Sequence, residues 1–587
     1  MRNIAAAATI STLGTLAPYL RRFRGRLVLV LFLVTAVVCV DLVQPWLVKV
    51  AIDRYLAVPA PDENAVLKIA GAYLGVVLLA FVLTYYQEII LQQAGQNIVR
   101  AIRFDLFRHI QTLALRYFDQ NSAGRIITNV VSDTEALNNL FTQFLSNTLR
   151  GLFSLVLIMG FMLRLDVKVA LYCFLLIPLV TVIAVFFQRR MRAINSEVRN
   201  RLGSAIGFLA ENLQGIAIIQ IFHQELKQQQ RFDERNRALM QATIKENWYF
   251  LLFFNVTELL GDIGIAALLW YGGQSVLRGS LSFGVLYAFI GYIRRFFHPI
   301  NTISQQMNTL QSSLVATERI AATLREQPDI RELPGAVAPE IAGEVLFDNV
   351  SLAYRPDLPV LKGINLSIAS GERVGFVGAT GAGKSSLMNL ATRFYDTTGG
   401  RVVIDGVDVR HWPLDALRQA IGIVQQDVTL FSGSVLDNIR FFQEGIAEER
   451  VREACRLVGA EPFILRLAQG YHTQLSERAA TLSAGERQLR SFARVLVFDP
   501  RILILDEATA SLDSRSEEVL QRAIHRVSAG RTLLVIAHRL ATVQEMDRII
   551  VLDQGRIIES GSHDELLVRG GHYWRLHQSG ILLDEAV

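Results

Sequence analysis

The fold of this chain is restricted above all by a glycine-rich segment, whose residues are Gly378, Ala379, Thr380, Gly381, Ala382, Gly383, Lys384, Ser385 and Ser386. The apolar run 374–377 before it is typical of a buried strand, and 387–390 after it is typical of a helix. A strand, a glycine loop and a helix in this order form a P-loop, in which backbone N–H groups point at phosphate oxygens. Lys384 would contact the β- and γ-phosphates, and the Ser385 hydroxyl would bind Mg²⁺. The sequence therefore predicts a site for a nucleoside triphosphate.

Two acids that follow another apolar run predict hydrolysis as well as binding. The run 502–505 leads directly into Asp506 and Glu507. A carboxylate at the end of a buried strand can hold Mg²⁺, usually through water, and we assign that role to Asp506. Glu507, the next residue, is the candidate general base for the attacking water.

The residues after 343 are typical of a soluble α/β domain. Strands are predicted at 343–354, 502–505 and 532–536, and helical segments lie between them. This alternation predicts a largely parallel core sheet. A further segment precedes a helical run and is typical of a helix N-terminus that binds phosphate; its last four residues are Ser483, Ala484, Gly485 and Glu486.

The first half of the chain is much more apolar. Of the whole sequence 51% is hydrophobic and only 19% is charged, which indicates membrane segments. A spanning helix needs about 20 apolar residues. Six segments are predicted to span a membrane: Leu27–Val48, Val66–Tyr86, Phe141–Leu163, Val169–Phe187, Phe250–Tyr271 and Leu281–Ile300. The third and sixth contain arginines and are the weakest of the six.

Arginines predict the orientation of these spans. They precede the first span and fill the loops between the second and third and between the fourth and fifth, whereas the opposite loops are short and less basic. The positive-inside rule then predicts a cytoplasmic N-terminus, and an even number of spans returns the second half to the cytoplasm. The two basic loops are helical in pattern and carry glycine-containing tips at 121–125 and 211–215. These tips are either turns between solvated helices or contacts with a cytoplasmic domain.

Among the ionisable residues within the predicted spans, five are candidates for a functional role: Asp41, Glu258, Asp262, Arg294 and Arg295. Such residues are costly in a membrane and usually face a cavity or one another. The sequence leaves two accounts open, which are pairing between helices and a polar lining for a substrate path.

The predicted fold class is a membrane all-α domain of six helices followed by an α/β P-loop domain. The membrane domain is expected at 1–325, a proline-containing linker at 326–342 and the nucleotide-binding domain at 343–587. The net charge of +5 is modest, so we interpret the basic residues as determinants of membrane topology and expect no nucleic-acid partner.

The order of the motifs resembles that of an ATP-binding cassette (ABC) domain, and its fusion to six spans resembles an exporter-type half-transporter of the multidrug or lipid type. The motifs that carry this resemblance are the P-loop, Gln426, the segment 482–486, Asp506 with Glu507, and His538. The resemblance covers nearly the whole chain. It implies ATP and Mg²⁺ as cofactors, a second half-transporter as partner, an amphipathic substrate and contact with membrane lipid.

The resemblance also implies roles for single residues. Tyr354 would stack on adenine, and Gln426 would sense Mg²⁺ and the membrane helices. Asp513 would lie in the loop that crosses between two nucleotide sites, and His538 would hold the γ-phosphate. The tips near positions 124 and 215 would be coupling helices that rest on the nucleotide-binding domains.

In the family, the segment 482–486 usually reads L-S-G-G-Q and binds the ATP of the opposite subunit, so Ser483 and Gly485 would contact its γ-phosphate. Here Ala484 and Glu486 replace the usual glycine and glutamine. Ala484 adds a Cβ where the backbone approaches phosphate, and Glu486 adds a negative charge. Since Glu507 is retained, we expect a heterodimer with one strong and one weak ATP site, although a homodimer stays open.

The favoured function is ATP-driven export by alternating access from a multi-pass protein of the cell membrane. An ATP-gated channel or a regulatory membrane subunit is the alternative from a different class. A soluble ABC ATPase is excluded if the predicted spans are real. An importer is disfavoured because importers of this superfamily usually carry their membrane and ATPase parts on separate chains.

Overall fold

The computed structural model describes residues 14, 16–56, 62–355, 357–425, 428–475, 483–506, 514–536 and 540–578. It divides into two units. The first comprises Met1–Gln111 and Ser122–Glu326, and the second comprises Thr112–Asn121 and Gln327–Val587. Ten residues from the first half of the chain thus belong structurally with the second half.

Helices account for nearly all of the described structure before residue 326. In chain order they are α1 (Ala17–Arg22), α2 (Arg24–Ala51), α3 (Glu63–Thr112), α4 (Leu115–Gln120), α5 (Ala123–Thr128), α6 (Thr134–Asn139), α7 (Leu145–Leu165), α8 (Val167–Phe174), α9 (Leu176–Gln214), α10 (Ile216–Ile221), α11 (Glu225–Leu277) and α12 (Phe283–Arg325). Short π-helical turns at Ile52–Leu56, Asn129–Asp133 and Leu140–Phe144 continue or join some of them.

Five helical segments among the described residues are long and apolar enough to cross a membrane, namely Arg24–Leu56, Glu63–Thr112, Ala123–Leu165, Val167–Gln214 and Glu225–Leu277. They contain the first five predicted spans. The sixth predicted span lies on α12, which is not among the five, and its crossing stays a prediction. A helix of 50 residues such as α3 is about 75 Å long, so it extends well beyond a hydrocarbon core of about 30 Å.

The packing of the first unit centres on α12, which contacts α2, α7 and α11. Phe289 and Tyr292 are fully buried, and Val285 and Phe296 are buried a helical turn away on either side. Apolar residues at this spacing lie on one face of a helix, so α12 buries a continuous stripe. The Tyr292 hydroxyl donates a hydrogen bond to the carbonyl of Leu42 at 2.9 Å, which satisfies its polar end within the core.

The described residues of the second unit form one four-stranded, one six-stranded and one two-stranded sheet. The strands are β1 (Val345–Arg355), β2 (Leu358–Ile368), β3 (Arg373–Val377), β4 (Gly399–Ile404), β5 (Val407–Asp408), β6 (Ile421–Val424), β7 (Gly433–Ser434), β8 (Gln474–Leu475), β9 (Ile502–Asp506), β10 (Thr532–Ile536), β11 (Arg548–Asp553) and β12 (Arg556–Gly561). The helices are α13 (Lys384–Ala391), α14 (Leu414–Ala420), α15 (Val435–Ile439), α16 (Glu448–Leu457), α17 (Glu461–Ile464), α18 (Ala484–Val497), α19 (Ser514–Ser528), α20 (Leu540–Gln544), α21 (His563–Arg569) and α22 (His572–Gln578).

The six-stranded sheet has the order β12-β11-β3-β10-β9-β6 and is parallel except for the edge strand β12. The prediction of a largely parallel core sheet is therefore confirmed. Its central strands are buried on both faces. Successive side chains point to opposite sides of a strand, so neighbouring residues enter different cores. Leu503 and Leu505 join one apolar core, and Ile502 and Ile504 join the other.

Gly422 in β6 allows α18 to pack closely on this sheet. A Cβ at this position would lie 2.3 Å from Cγ1 of Val495 and 2.7 Å from Cγ of Pro500. We expect G422A to destabilise the second unit by about 1–3 kcal/mol because the backbone or α18 must shift. The measurement is the apparent unfolding temperature of the detergent-solubilised chain. G445A is the matched control, since a Cβ there meets no atom within 4 Å, and equal unfolding temperatures for the two variants would contradict this packing.

Candidate nucleotide site and membrane cavity

The P-loop joins β3 to α13 and can be built only with glycine at two positions. Gly378 has φ +150°, and a Cβ there would lie 2.2 Å from the carbonyl oxygen of Leu552. Gly383 has φ +104°, and a Cβ there would lie 2.6 Å from Cδ2 of Leu361. These are backbone conformations that other residues rarely adopt, in places where a side chain has no room. The loop is therefore held tightly against its neighbouring strands while its outer edge stays free.

Lys384 begins α13 and folds back over the loop. Its side chain is 7% exposed, and Nζ donates hydrogen bonds to the carbonyls of Gly378 at 2.6 Å and Ala379 at 3.2 Å. The exposed rim of the loop is formed by Ala379, Thr380 and Gly381. An ammonium group beside exposed backbone N–H groups and a helix N-terminus is a favourable environment for phosphate.

Strand register brings Asp506 to the same edge of the sheet as the P-loop. Ile536 at the end of β10 pairs with Phe376 of β3 on one side and with Asp506 of β9 on the other. Asp506 is half-buried, and Ser385 is exposed in the first turn of α13. A carboxylate and a hydroxyl oxygen are ligands that Mg²⁺ prefers, so the residues present fit this ion.

Tyr354 lies beside the P-loop helix at the end of β1. Its hydroxyl donates a hydrogen bond to Oγ of Ser386 at 3.0 Å. Its ring contacts the ring of Tyr395 edge to face, with centroids 4.8 Å apart and an interplanar angle of 82°. The ring assigned to adenine by resemblance is therefore positioned by two neighbours on the same unit.

Ser483 and Glu486 form a capping box at the start of α18. The Ser483 hydroxyl accepts a hydrogen bond from the Glu486 N–H at 3.2 Å, and the Glu486 carboxylate accepts one from the Ser483 N–H at 3.1 Å. Each side chain thus satisfies a backbone donor of the first helical turn. Gly485 is buried within that turn, and Ala484 is its first residue.

The remaining predicted nucleotide-site residues lie outside the described part of the chain; they are Gln426, Glu507, Asp513 and His538. Their roles stay predictions. The described strands that lead to three of them, β6, β9 and β10, run parallel to β3.

A polar cavity of about 370 Å³ lies within the first unit. Asp41, Arg150 and Arg295 line it together with Asn147 and Ser154. Arg150 pairs with the carboxylate of Asp41 at 3.4 Å.

The second arginine of the cavity, Arg295, donates 2.7 Å hydrogen bonds to the Asp41 carbonyl and to Oε1 of Gln44. The other three candidate path residues are exposed and do not line this cavity; they are Arg294, Glu258 and Asp262. Arg150 is not among the predicted path residues, although its position in the third predicted span is a usable signal.

Helix α4 contacts the rest of the second unit through two polar side chains. Arg116 pairs with Asp329 at 3.4 Å, and the Tyr395 hydroxyl donates a hydrogen bond to the Asp119 carboxylate. The sequence placed the first loop tip at 121–125, just after this helix. The second tip, 211–215, leads into α10, where Ile218 and Ile221 are 64% and 73% exposed.

Comparisons with known proteins agree with this architecture. The family described as "ABC transporter transmembrane region" matches residues 27–300, and the family described as "ABC transporter" matches residues 361–510. The chain is 37% identical over 88% of its length to a "Probable multidrug resistance ABC transporter ATP-binding/permease protein" of Bacillus subtilis, and it covers 77% of that protein. It is 36% identical over 91% of its length to an "ATP-dependent lipid A-core flippase" of Syntrophus aciditrophicus, and it covers 88% of that protein.

Among solved structures, an ATP-bound bacterial Atm1-family ABC exporter matches with a TM-score of 0.79 and 28% identity. The match covers 96% of this chain and 99% of the exporter. The same order of parts is thus found over the full length of a known exporter. The chain belongs to the ABC transporter family, as a multi-pass, exporter-type half-transporter with a helical membrane domain and an ATP-hydrolysing nucleotide-binding domain.

Proposed function

We propose that this chain exports amphipathic small molecules or lipids across the cell membrane by alternating access, as one half of a dimer. The observation that carries this proposal is a P-loop with a poised lysine in a chain that also has apolar helices of membrane-spanning length. The arginine distribution supports a cytoplasmic location for the N-terminus and for the nucleotide-binding domain, where ATP is available.

The nucleotide site would work mainly by positioning and by neutralising charge. Lys384 would leave the carbonyls of Gly378 and Ala379 and bind the β- and γ-phosphates. Tyr354 would stack on the adenine. Ser385 and Asp506 would hold Mg²⁺, which supplies charge stabilisation at the phosphates when bound. Glu507 would activate water.

His538 would complete the site by holding the γ-phosphate, and Gln426 would sense Mg²⁺. Asp513 would lie in the loop between the two sites of the dimer. These three roles rest on the family resemblance.

We propose that the cavity beside Asp41 receives the polar group of the substrate. Two arginines and one carboxylate leave a net positive charge, which favours an anionic group. The apolar parts of an amphipathic substrate would contact the surrounding helices. Arg294, Glu258 and Asp262 are exposed on the single chain, and we propose that they face a partner or an enlarged path.

The partner is proposed to be a second half-transporter, with a heterodimer favoured. Exposed Ile218, Ile221 and Phe222 at the second tip support docking on a partner's nucleotide-binding domain. The Glu486 carboxylate accepts a hydrogen bond from the Ser483 N–H. That N–H is one of the groups that would otherwise face the partner's γ-phosphate. This negative charge supports a weak second ATP site.

K384A should abolish ATP hydrolysis and transport, because the loop then lacks the cation that binds the γ-phosphate. The measurement is ATP-driven accumulation of an amphipathic dye in inside-out vesicles, together with phosphate release. K362A, a lysine substitution on β2, is the control and should retain both activities. Undiminished uptake by K384A would contradict the proposal, and hydrolysis by the parent without uptake against a gradient would favour a channel or regulatory role.

R150Q and R295Q should each weaken the binding of an anionic amphiphile. The concentration of amphiphile that gives half-maximal stimulation of ATP hydrolysis should rise about tenfold, the equivalent of one charge-assisted hydrogen bond. A zwitterionic amphiphile should be affected less. R164Q, at the end of α7 and outside the cavity lining, is the matched control. Equal effects on both classes of amphiphile would argue against an anionic-group site.

E486Q should raise the rate of ATP hydrolysis by the dimer about fivefold, since a unit charge 4 Å from another in water is worth about 1 kcal/mol. The measurement is the hydrolysis rate of this chain purified with its partner. E565Q, which alters the equivalent capping-box residue of α21, is the control. A vigorous homodimer that E507Q inactivates and E486Q does not improve would count against asymmetric sites.

A further inference from the structure

One hydrogen bond connects the short helix α4 to the aromatic pair beside the P-loop. Tyr395 is 6% exposed, and its hydroxyl donates to the Asp119 carboxylate. Burial, and then the hydrogen bond to Asp119, raise the pKa of Tyr395 well above its usual value. The phenol therefore stays protonated at physiological pH and remains a donor.

The contacts continue from Tyr395 to the nucleotide site without a gap. The Tyr395 ring meets the Tyr354 ring edge to face, and the Tyr354 hydroxyl binds Ser386 in the first turn of α13. Ser386 is two residues from Lys384. Each contact has a defined geometry, so a shift of Tyr395 must alter the position of the Tyr354 ring.

Arg116 on α4 acts on this series through its charge, which lowers the pKa of Tyr395, and its ion pair is made elsewhere. Arg116 pairs with Asp329, and both side chains are about half exposed, at 41% and 52%. An exposed pair of this kind contributes little to stability. Of these two contacts, the Asp119–Tyr395 hydrogen bond is the one that continues through the tyrosine rings to Ser386.

We propose that Asp119 and Tyr395 are positioning residues that set the ring of Tyr354, so that docking of α4 and binding of ATP favour each other. If α4 withdraws, the buried Tyr395 hydroxyl loses its acceptor and must turn to find another. The edge contact with Tyr354 then changes, and the adenine loses part of its support. Since coupling between two binding events is reciprocal, bound ATP must also stabilise docked α4. This inference rests on the proposed adenine contact of Tyr354.

The first test separates KM from kcat in the full-length protein with its partner. Y395F removes only the hydroxyl and keeps the ring, and D119A removes only the acceptor. Each should raise the KM for ATP about tenfold, the equivalent of one charge-assisted hydrogen bond, and change kcat less than twofold. The double variant should be no worse than either single one, because all three lack the same hydrogen bond. D119N, which keeps an acceptor oxygen, should restore most of the affinity.

The second test measures hydrogen exchange of the backbone amides of 115–120 with and without ATP in an E507Q background. ATP should slow this exchange in the parent, and Y395F should abolish the effect. D329N is the control: it breaks the pair with Arg116, keeps the hydroxyl contact and should behave like the parent in both tests.

The outcomes distinguish the two proposals. If the parent does not hydrolyse ATP, the proposed function fails. If the parent is active but Y395F keeps the parental KM, or effects of Y395F and D119A multiply in the double variant, or ATP still protects α4 in Y395F, this inference alone is overturned.

Discussion

The close approach of the P-loop backbone to its neighbouring strands is the constraint on which the site depends. The carbonyl of Leu552 and the side chain of Leu361 fill the space that side chains at positions 378 and 383 would need. The loop is thereby fixed at the carboxyl edge of β3. Because β10 and β9 run parallel to β3 in adjacent register, Asp506 is delivered to the same edge. These two packing contacts therefore orient the phosphate-binding loop, and the sheet register positions Asp506 beside it.

Much of this architecture could be predicted from the sequence because its signals are local. The strand before the P-loop and the acids that follow the run 502–505 are each recognised from a few consecutive residues, and the predicted fold class is confirmed. The contact between Asp119 and Tyr395 joins residues 276 positions apart and has no local signal. The sequence therefore placed the first loop tip at 121–125 and gave no reason to assign α4 to the second unit. Arginines on α12 weakened its apolar signal, although Arg295 is satisfied by the Asp41 carbonyl and Gln44.

For the charged residues of the first unit, the sequence leaves open whether they pair between helices or line a path. A single carboxylate at membrane depth is costly, and Arg150 offsets that cost by pairing with Asp41. Arg295 donates hydrogen bonds to neutral oxygens of Asp41 and Gln44, so the two arginines that line the cavity exceed its one lining carboxylate in charge. Pairing between helices and a polar lining, which the sequence leaves open and which do not exclude each other, are both properties of Asp41, Arg150 and Arg295.

At the start of α18, the same backbone N–H groups can serve helix capping or phosphate binding. A capping box stabilises a helix because it satisfies two backbone donors, and a carboxylate there also interacts favourably with the positive end of the helix. Phosphate binding at a helix N-terminus uses the same donors and the same positive end. The Glu486 carboxylate therefore binds a backbone donor at the helix N-terminus that, under the proposed role of this helix, an incoming γ-phosphate would require. A neutral glutamine could make a similar cap with less electrostatic competition, so under the proposed role of this helix a change from glutamate to glutamine at 486 should alter phosphate affinity more than it alters helix stability.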